Sequence, residues 1–483
     1  MQISSNPHAV LFVSPGMGHL IPFLELSRAL VDHHNFQATL FVVASDSSVA
    51  GSEQILRSPN PEKLRIVSLP PVDLSDVDPS IPVGAKCRIS MNKSIPSLRS
   101  EIGSIPVRPT VLIVDLFGTE AFSIAEEFNF SKYFFMTTGA WFLAVMLHIP
   151  FLDSKARDDH MIRHEPLRLP GCEPIRFEDT CEIFTDPSGV GIAAVEENMS
   201  RGMLKSDGIL VNSFEDLEPV SLKALRDDSR IFGGSNVVPV LQVGPLVRDV
   251  GPTVQENYVL NWLDSQPPKS VVYISFGSGG TLSAQQLKEL AFGLELSQQR
   301  FVWVVRPPAE NVDASYFDVG NKNDKHITPN DYLPDGFMAR TKQTGVVVPN
   351  WAPQTEILKH PSTGAFISHV GWNSTLESIV NGVPVIAWPF YAEQGMNAAA
   401  LTEHMEVAVR LRPPSDGVIT RDEISKAVRR IMVDDEEGKN IRTRMENLKN
   451  NSRKVSSKGG SSYSLLSKFA DDCLMNLQKS HGA

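Results

Sequence analysis

The stretch Trp351–Gln394, WAPQTEILKHPSTGAFISHVGWNSTLESIVNGVPVIAWPFYAEQ, contains a short apolar strand, Ala365–Ser368, followed by a polar turn. That turn, His369-Val370-Gly371-Trp372-Asn373-Ser374, opens a helix. Strand, tight turn and helix in that order form the repeating unit of parallel α/β layers. A helix start presents backbone N–H groups and the positive end of the macrodipole, which suits a diphosphate. The flanking side chains suit the rest of a nucleotide sugar. Trp351 has a flat apolar face for a base, Glu377 accepts from hydroxyls, and Glu393 and Gln394 are two further hydroxyl-binding groups.

Each of these residues also has a plainer reading. Ser374-Thr375-Leu376-Glu377 is an S-x-x-E capping box, which would use both side chains merely to start the helix. In isolation that reading is the simpler one. Trp351 could be core, and Glu393 and Gln394 loop surface. Their joint occurrence at this spacing is what favours a binding site.

The strand-and-helix signature appears twice in the chain. Ala9–Val13 is a short apolar strand stopped by Ser14-Pro15-Gly16, with a helix expected from about Ile21 to His33 and another strand at Ala38–Val43. Thr110–Val114 reads as a buried strand ending at Asp115. The pattern restarts at Ser270–Phe276, followed by Gly277-Ser278-Gly279-Gly280 and a helix from about Ser283, with strands at Phe301–Val305 and Gly345–Val348. Between the two series, Val243 to Pro252 has the Pro and Gly content of a linker. The expected domains are therefore 1–248 and 253–460, with a C-terminal amphipathic helix at about 461–483. Pro307–Pro334 and Pro413–Gly417 read as polar loops, and the charged helical segment from Thr420 as a solvated helix face. Cys87–Arg99 and Cys181–Glu197 are expected to be loops that line a pocket.

At 483 residues the chain is long for one core, and 42% apolar with 21% charged residues is ordinary globular composition. A net charge of −11 without a long basic run argues against nucleic acid. Four separated cysteines lack metal spacing and fit reduced thiols. No basic-then-apolar leader and no run of membrane-spanning length is present, so the expectation is a soluble, cytoplasmic monomer with no membrane partner.

His19 closes Ser14-Pro15-Gly16-Met17-Gly18-His19, at the end of the first strand and just before a helix, where open parallel sheets gather ligands. A free imidazole titrates near ~6.5 and can take a proton at neutral pH. Asp115 ends a second parallel strand and could stand beside it, orienting the ring as the carboxylate of a hydrolase triad does. The alternatives are a histidine that only fills a helix start and an aspartate that caps a helix. Phe117, Trp141 and Phe142 could line an aromatic pocket or belong to the core. Gly16-Met17-Gly18 begins a dinucleotide fingerprint, but Ile21 stands where its third glycine belongs, which disfavours a nicotinamide enzyme. Gly277–Thr281 could cradle a phosphate with help from the following helix; no GK[ST] follows, so it is not a P-loop.

Taken with Val114–Gly118, Leu210-Val211-Asn212-Ser213-Phe214-Glu215-Asp216-Leu217-Glu218 and Ile274–Gly280, these motifs resemble the plant family-1 UDP-dependent glycosyltransferases over essentially the whole chain. The segments Gly16–Pro22 and Val114–Thr119 are most similar to the hydroquinone and monolignol glucosyltransferase branch. The resemblance implies an α/β GT-B fold, two Rossmann-like parallel-sheet domains facing across a cleft, with the acceptor held by the first domain and the donor by the second. It implies that the last helix packs back on the first domain. It assigns Trp351 to the uracil, Gln354 and Glu377 to the ribose, and Ser278, His369, Asn373 and Ser374 to the diphosphate, with Ala352 a further donor-binding residue. Trp372, Glu393 and Gln394 would meet the sugar, with glutamine at 394 pointing to glucose. Phe117, Trp141, Phe142 and Tyr391 would face a small aromatic acceptor. The implied reaction is an inverting glucosyl transfer from UDP-glucose, with His19 as base and Asp115 orienting it, needing no cofactor and no metal. Val370 departs from the family's common cysteine, and its side chain is expected to pack away from the donor. The same scaffold could form a carbon or nitrogen linkage, and a non-catalytic nucleotide-sugar binder is the other alternative.

Overall fold

The strands at the centre of both sheets are buried along their whole length. Val, Ile, Leu, Phe and Ala run through them without alternation because parallel strands covered on both faces have no solvent side. The computed structural model describes residues 6–43, 60–78, 81–184, 190–234, 237–248, 257–309, 328–414, 417–433 and 435–479. In the first sheet these are β1 (His8–Val13), β2 (Gln37–Val43), β3 (Leu64–Leu69), β4 (Val111–Val114), β5 (Ser131–Met136), β6 (Gly208–Val211) and β7 (Val240–Gln242). In the second they are β8 (Val271–Ser275), β9 (Arg300–Val305), β10 (Gly345–Pro349), β11 (Thr363–Ser368), β12 (Val385–Ala387) and β13 (Ala408–Arg410).

All pairings are parallel, in the orders β3-β2-β1-β4-β5-β6-β7 and β10-β9-β8-β11-β12-β13. Counted from its own first strand, each sheet therefore begins 3-2-1-4-5-6, the doubly-wound Rossmann order. In that order the connections leave strands 1 and 4 toward opposite sides. The crevice beyond their C-terminal ends is the natural ligand position. In the first sheet that position lies between β1 and β4, and in the second between β8 and β11.

The chain divides into two units, Met1–Val247 with Lys454–Ala483, and Arg248–Arg453. The return to the first unit falls inside one continuous helix, Glu436–Ser456. The final helix, Ser461–Lys479, places Leu466, Phe469, Ala470 and Cys473 in the core formed by β1, β2 and the helix Met17–His33. Phe469 stacks on Phe36 at 6.0 Å and meets Tyr133 edge-on at 4.7 Å. Residues 480–483 of the expected tail lie outside the described residues.

Several sequence expectations need correction. The first helix starts at Met17 rather than near Ile21, because Gly16 at φ 108° turns the chain directly into it and Pro22 lies within it. His19 is thus in the helix's first turn. Cys87–Arg99 is not a loop but the middle of the helix Val83–Ser104, whose Cys87, Met91 and Leu98 are buried. Cys181–Glu197 contains a short turn of helix at Glu182–Phe184 and a helix at Val190–Val195, with 185–189 outside the described residues. The segment after Thr420 is not only a solvated face. Helix Arg421–Met432 buries Ile424, Ala427, Val428 and Ile431, with Ile424 packed on Gly293 of the helix Ala284–Ser297. Most of the expected 307–334 loop, residues 310–327, and residues 415–416 lie outside the described residues.

Phe469→Ala would empty a fully buried ring position and is expected to cost the first unit about 3–5 kcal/mol. Urea denaturation measures this, and a loss below about 1 kcal/mol would show that the final helix contributes little to that core.

Candidate active site

In the first unit the position between strands 1 and 4 is occupied by Asp115 and its partners. Phe12 of β1 pairs with Val114 of β4, which brings Ser14 and Asp115 out of the sheet side by side. Asp115 has no solvent exposure. Its carboxylate accepts from Ser14 N (3.0 Å), Ser14 Oγ (2.5 Å) and Phe117 N (3.3 Å). These bonds hold the carboxylate as an acceptor and replace the water lost on burial. His19 Nδ1 lies 3.0 Å from Asp115 Oδ2. The ring N–H is not aimed at that oxygen, so the contact has ion-pair distance without hydrogen-bond alignment. The Phe117 ring stands 5.5 Å from the imidazole, tilted by 58°. Asp115 is not a helix cap, and the structure brings His19, Asp115 and Phe117 together.

Trp141 and Phe142 are both buried, in the first turn of helix Ala140–His148. That helix has no side-chain cap of its own. Instead Glu218, from the loop after β6, accepts from Ala140 N (2.7 Å), Trp141 N (2.9 Å) and Ser213 Oγ (2.5 Å). Burial pushes the Glu218 carboxyl up, and the three donors oppose that shift. In the sequence Glu218 is one of three carboxylates of the motif Leu210–Glu218, with Glu215 and Asp216, and nothing there sets it apart.

In the second unit the turns after β8, β10, β11 and β12 carry the remaining candidates. Three of them place a left-handed residue directly before a candidate: Gly277 (φ 74°) before Ser278, Asn350 (φ 63°) before Trp351, and Ala392 (φ 54°) before Glu393. In the fourth turn Val370 (φ 58°) stands two residues before Trp372. A β-branched residue in that region costs roughly 1–2 kcal/mol. Val370 is held there by its neighbours: its N–H donates to Ser368 Oγ (3.1 Å), and its carbonyl accepts from Asn397 Nδ2 (3.0 Å) and Thr375 Oγ1 (3.3 Å). Its side chain is fully buried.

His369 is wedged between two backbones. A Cβ on Gly277 would lie 2.6 Å from its Cε1, and one on Gly371 would lie 2.6 Å from its Nε2. Burial, with a contribution from Arg306, pushes the imidazole down to about 4, so the ring is neutral at pH 7. Its Nδ1 is buried without a partner among the described residues. The helix Trp372–Asn381 begins directly after this turn, with Gly371 as N-cap and no side-chain cap. The Gly277–Gly280 turn does not open its helix, which starts at Ala284 under a Ser283 cap. The helix-dipole contribution expected at that turn therefore belongs to the turn after β11.

The capping-box reading of Ser374 and Glu377 fails, since both lie inside the helix. Glu377 is buried and accepts from Gln354 Nε2 (2.8 Å) and Thr355 Oγ1 (3.3 Å). Gln354 Nε2 also donates to Ser374 Oγ (3.0 Å). Burial raises the Glu377 carboxyl, opposed by these bonds. Trp351 is 64% exposed, an open aromatic face over buried Ala352. Gln394 Oε1 accepts from Phe390 N (2.9 Å) and Tyr391 N (3.3 Å), which commits the oxygen inward and leaves the amide NH2 on the other side. Asn397, not singled out in the sequence, joins Val370 O to Glu393 Oε1 (3.5 Å). Tyr391, in the loop after β12, is half-buried.

Two units of Rossmann strand order, each with candidate side chains at its strand ends, have the architecture of the GT-B class. Residues 247–451 match the family model described as "UDP-glucoronosyl and UDP-glucosyl transferase". The chain is 48% identical to UDP-glycosyltransferase 72E1 of Arabidopsis thaliana over 476 residues, covering 97% of this chain and 96% of that one. It is 42% identical to hydroquinone glucosyltransferase of Rauvolfia serpentina, covering 96% and 97%. The crystal structure of TcCGT1 in complex with UDP superposes with a TM-score of 0.89 at 45% identity, over 98% of this chain and all of that one. The chain belongs to the plant family-1 UDP-glycosyltransferases and is a UDP-glycosyltransferase.

Gly277→Ala would force a strained φ and a clash with His369, and is expected to destabilise the protein by about 1–3 kcal/mol. Gly18→Ala is the control, since a Cβ there meets nothing within 4 Å. Thermal denaturation of both variants tests this. Equal midpoints would mean that the His369 wedge tolerates displacement.

Proposed function

We propose that the protein transfers glucose from UDP-glucose to a phenolic or flavonoid hydroxyl, with inversion at the anomeric carbon. The observation that carries this reading is His19 at 3.0 Å from a buried, fully hydrogen-bonded Asp115, at the switch point of the first sheet. The imidazole takes the acceptor proton and Asp115 stabilises the imidazolium that forms. The acceptor oxygen bonds to the anomeric carbon while the bond from that carbon to the diphosphate breaks, and its electron pair leaves with UDP. One displacement inverts the centre. A phenol, with a pKa of about 10 like tyrosine, is within reach of a lone imidazole base. The name of the Rauvolfia serpentina relative, a hydroquinone glucosyltransferase, supports both the sugar and the phenol.

In this reading the first unit holds the acceptor against Phe117, Trp141 and Phe142. The second unit holds the donor. Trp351 and Ala352 take uracil, Gln354 and Glu377 the ribose, and Ser278, His369, Asn373 and Ser374 the diphosphate. Trp372, Glu393 and Gln394 take the glucose. The two carboxylates and the Gln394 amide match a ligand rich in hydroxyl donors and acceptors. No resident cofactor or metal enters the proposed chemistry. None of the four cysteines, all among the described residues, is in a disulfide; this supports a reducing compartment, and we assign the protein to the cytoplasm as a monomer. No helix among the described residues is long and apolar enough to cross a membrane.

His19→Ala is expected to lower phenol glucosylation by about 10²–10⁴-fold while UDP binding is kept. Turnover with UDP-glucose and simple phenols, alongside calorimetric UDP titration, measures both. Unchanged turnover would remove His19 from the mechanism. Products that resist warm acid would replace the oxygen linkage by a carbon linkage. Gln394→His is expected to reduce glucose transfer relative to galactose, because it removes the amide that Phe390 and Tyr391 hold in place. Competition between the two UDP-sugars reads this out, and an unaltered ratio would detach position 394 from donor choice.

A further inference from the structure

Arg306, the residue directly after β9, belongs to no part of the site described so far. Its guanidinium lies among the strand-end turns of the second sheet. Nη1 donates to the Ser278 carbonyl and Nε to the Asn350 carbonyl at 3.4 Å. The turn after β11 is close enough for its charge to act on His369. Arg306 is half-buried, and burial is the main influence on it, lowering its proton affinity. The one group that favours its charge is Tyr391; no carboxylate among the described residues pairs with it. Removing a guanidinium from water without a counter-ion is costly, and such a group is retained where an anion completes the pair.

The electrostatics of the donor residues point the same way. None of them is a cation at neutral pH: His369 is held neutral, and Glu377 and Glu393 are acids. A nucleoside diphosphate is multiply charged, and its charge grows as the bond to the sugar breaks. Helix-start amides meet part of that charge. A planar guanidinium with donors beyond the two used on carbonyls meets the rest. The buried, unpartnered Nδ1 of His369 marks the same place as lacking a ligand atom.

Resting on the donor reading above, we infer that Arg306 is the cation that holds the donor's diphosphate and takes up its negative charge as UDP departs. Ser278 and Asn350 fix the guanidinium through their carbonyls, so the same side chain sets the spacing between the diphosphate turn and the Trp351 platform.

The test is calorimetric binding of UDP and of uridine to the full-length protein and to Arg306→Gln. A lost charge-assisted contact is expected to weaken UDP by about 10–100-fold. Uridine, which lacks the diphosphate, should stay within about twofold. Equal loss of UDP and uridine would overturn the inference and reduce Arg306 to a brace for the Trp351 turn. Unchanged UDP binding would also overturn it. If Arg306→Gln fails to fold, Arg306→Met decides, since it keeps an unbranched stem without the charge: uridine retained with UDP weakened supports the inference, and both ligands lost or both retained overturns it. Wild-type protein that binds no UDP would instead remove the donor reading itself.

Discussion

The sites of this protein depend on one topological constraint. In a doubly-wound parallel sheet, strands 1 and 4 are neighbours, yet their outgoing connections run to opposite sides. The backbone cannot fill the gap this leaves at their C-terminal ends. In the first unit that gap receives Ser14 and Asp115, with His19 reaching in from the helix that follows β1. In the second it receives the Gly277 turn and the His369–Gly371 turn, interleaved closely enough that the His369 ring excludes a side chain from both glycines. The same strand order, used twice, gathers polar side chains at both gaps.

Burial decides what each site can do. Asp115 is surrounded by donors from Ser14 and Phe117, which keep a carboxylate acceptable away from water. His369 has the reverse environment, with no carboxylate to favour its proton, and is neutral as a result. His19 thus stands against a buried carboxylate, while burial keeps the His369 imidazole neutral. Glu218 is a third case. Its carboxyl accepts from the first two N–H groups of the helix that carries Trp141 and Phe142, and so fixes where those buried rings begin.

Left-handed residues recur at the strand ends of the second unit. Gly277, Asn350, Val370 and Ala392 all take left-handed conformations at strand ends. Asn and Gly tolerate this region, whereas Val tolerates it poorly. The bonds from Ser368, Thr375 and Asn397 impose it on Val370, and the following residues are thereby turned toward the strand ends. Such strain persists only where surrounding contacts over-determine it.

The sequence by itself determined the α/β class, the two series of strands, and most strand positions, because a strand buried on both faces is a continuous apolar run with Gly or Pro at its end. It also determined which residues were candidates, through the density of His, Asp, Glu, Gln and Trp at those ends. Helix limits were less legible. Cys87–Arg99 reads as a loop because its polar residues outnumber its apolar ones, and only the packing of Cys87, Met91 and Leu98 reveals a buried helix face. The same S/T-x-x-E pattern is a true capping box at Thr420–Glu423 and none at Ser374–Glu377. The difference is where the helix begins, which Gly371 sets by turning the chain out of β11. Only the tertiary structure could decide that Glu377 bonds to Gln354, that Glu218 holds a distant helix, and that Arg306 stands beside three turns. Those partners are separated in sequence, and parallel strand packing is what brings them within hydrogen-bonding distance.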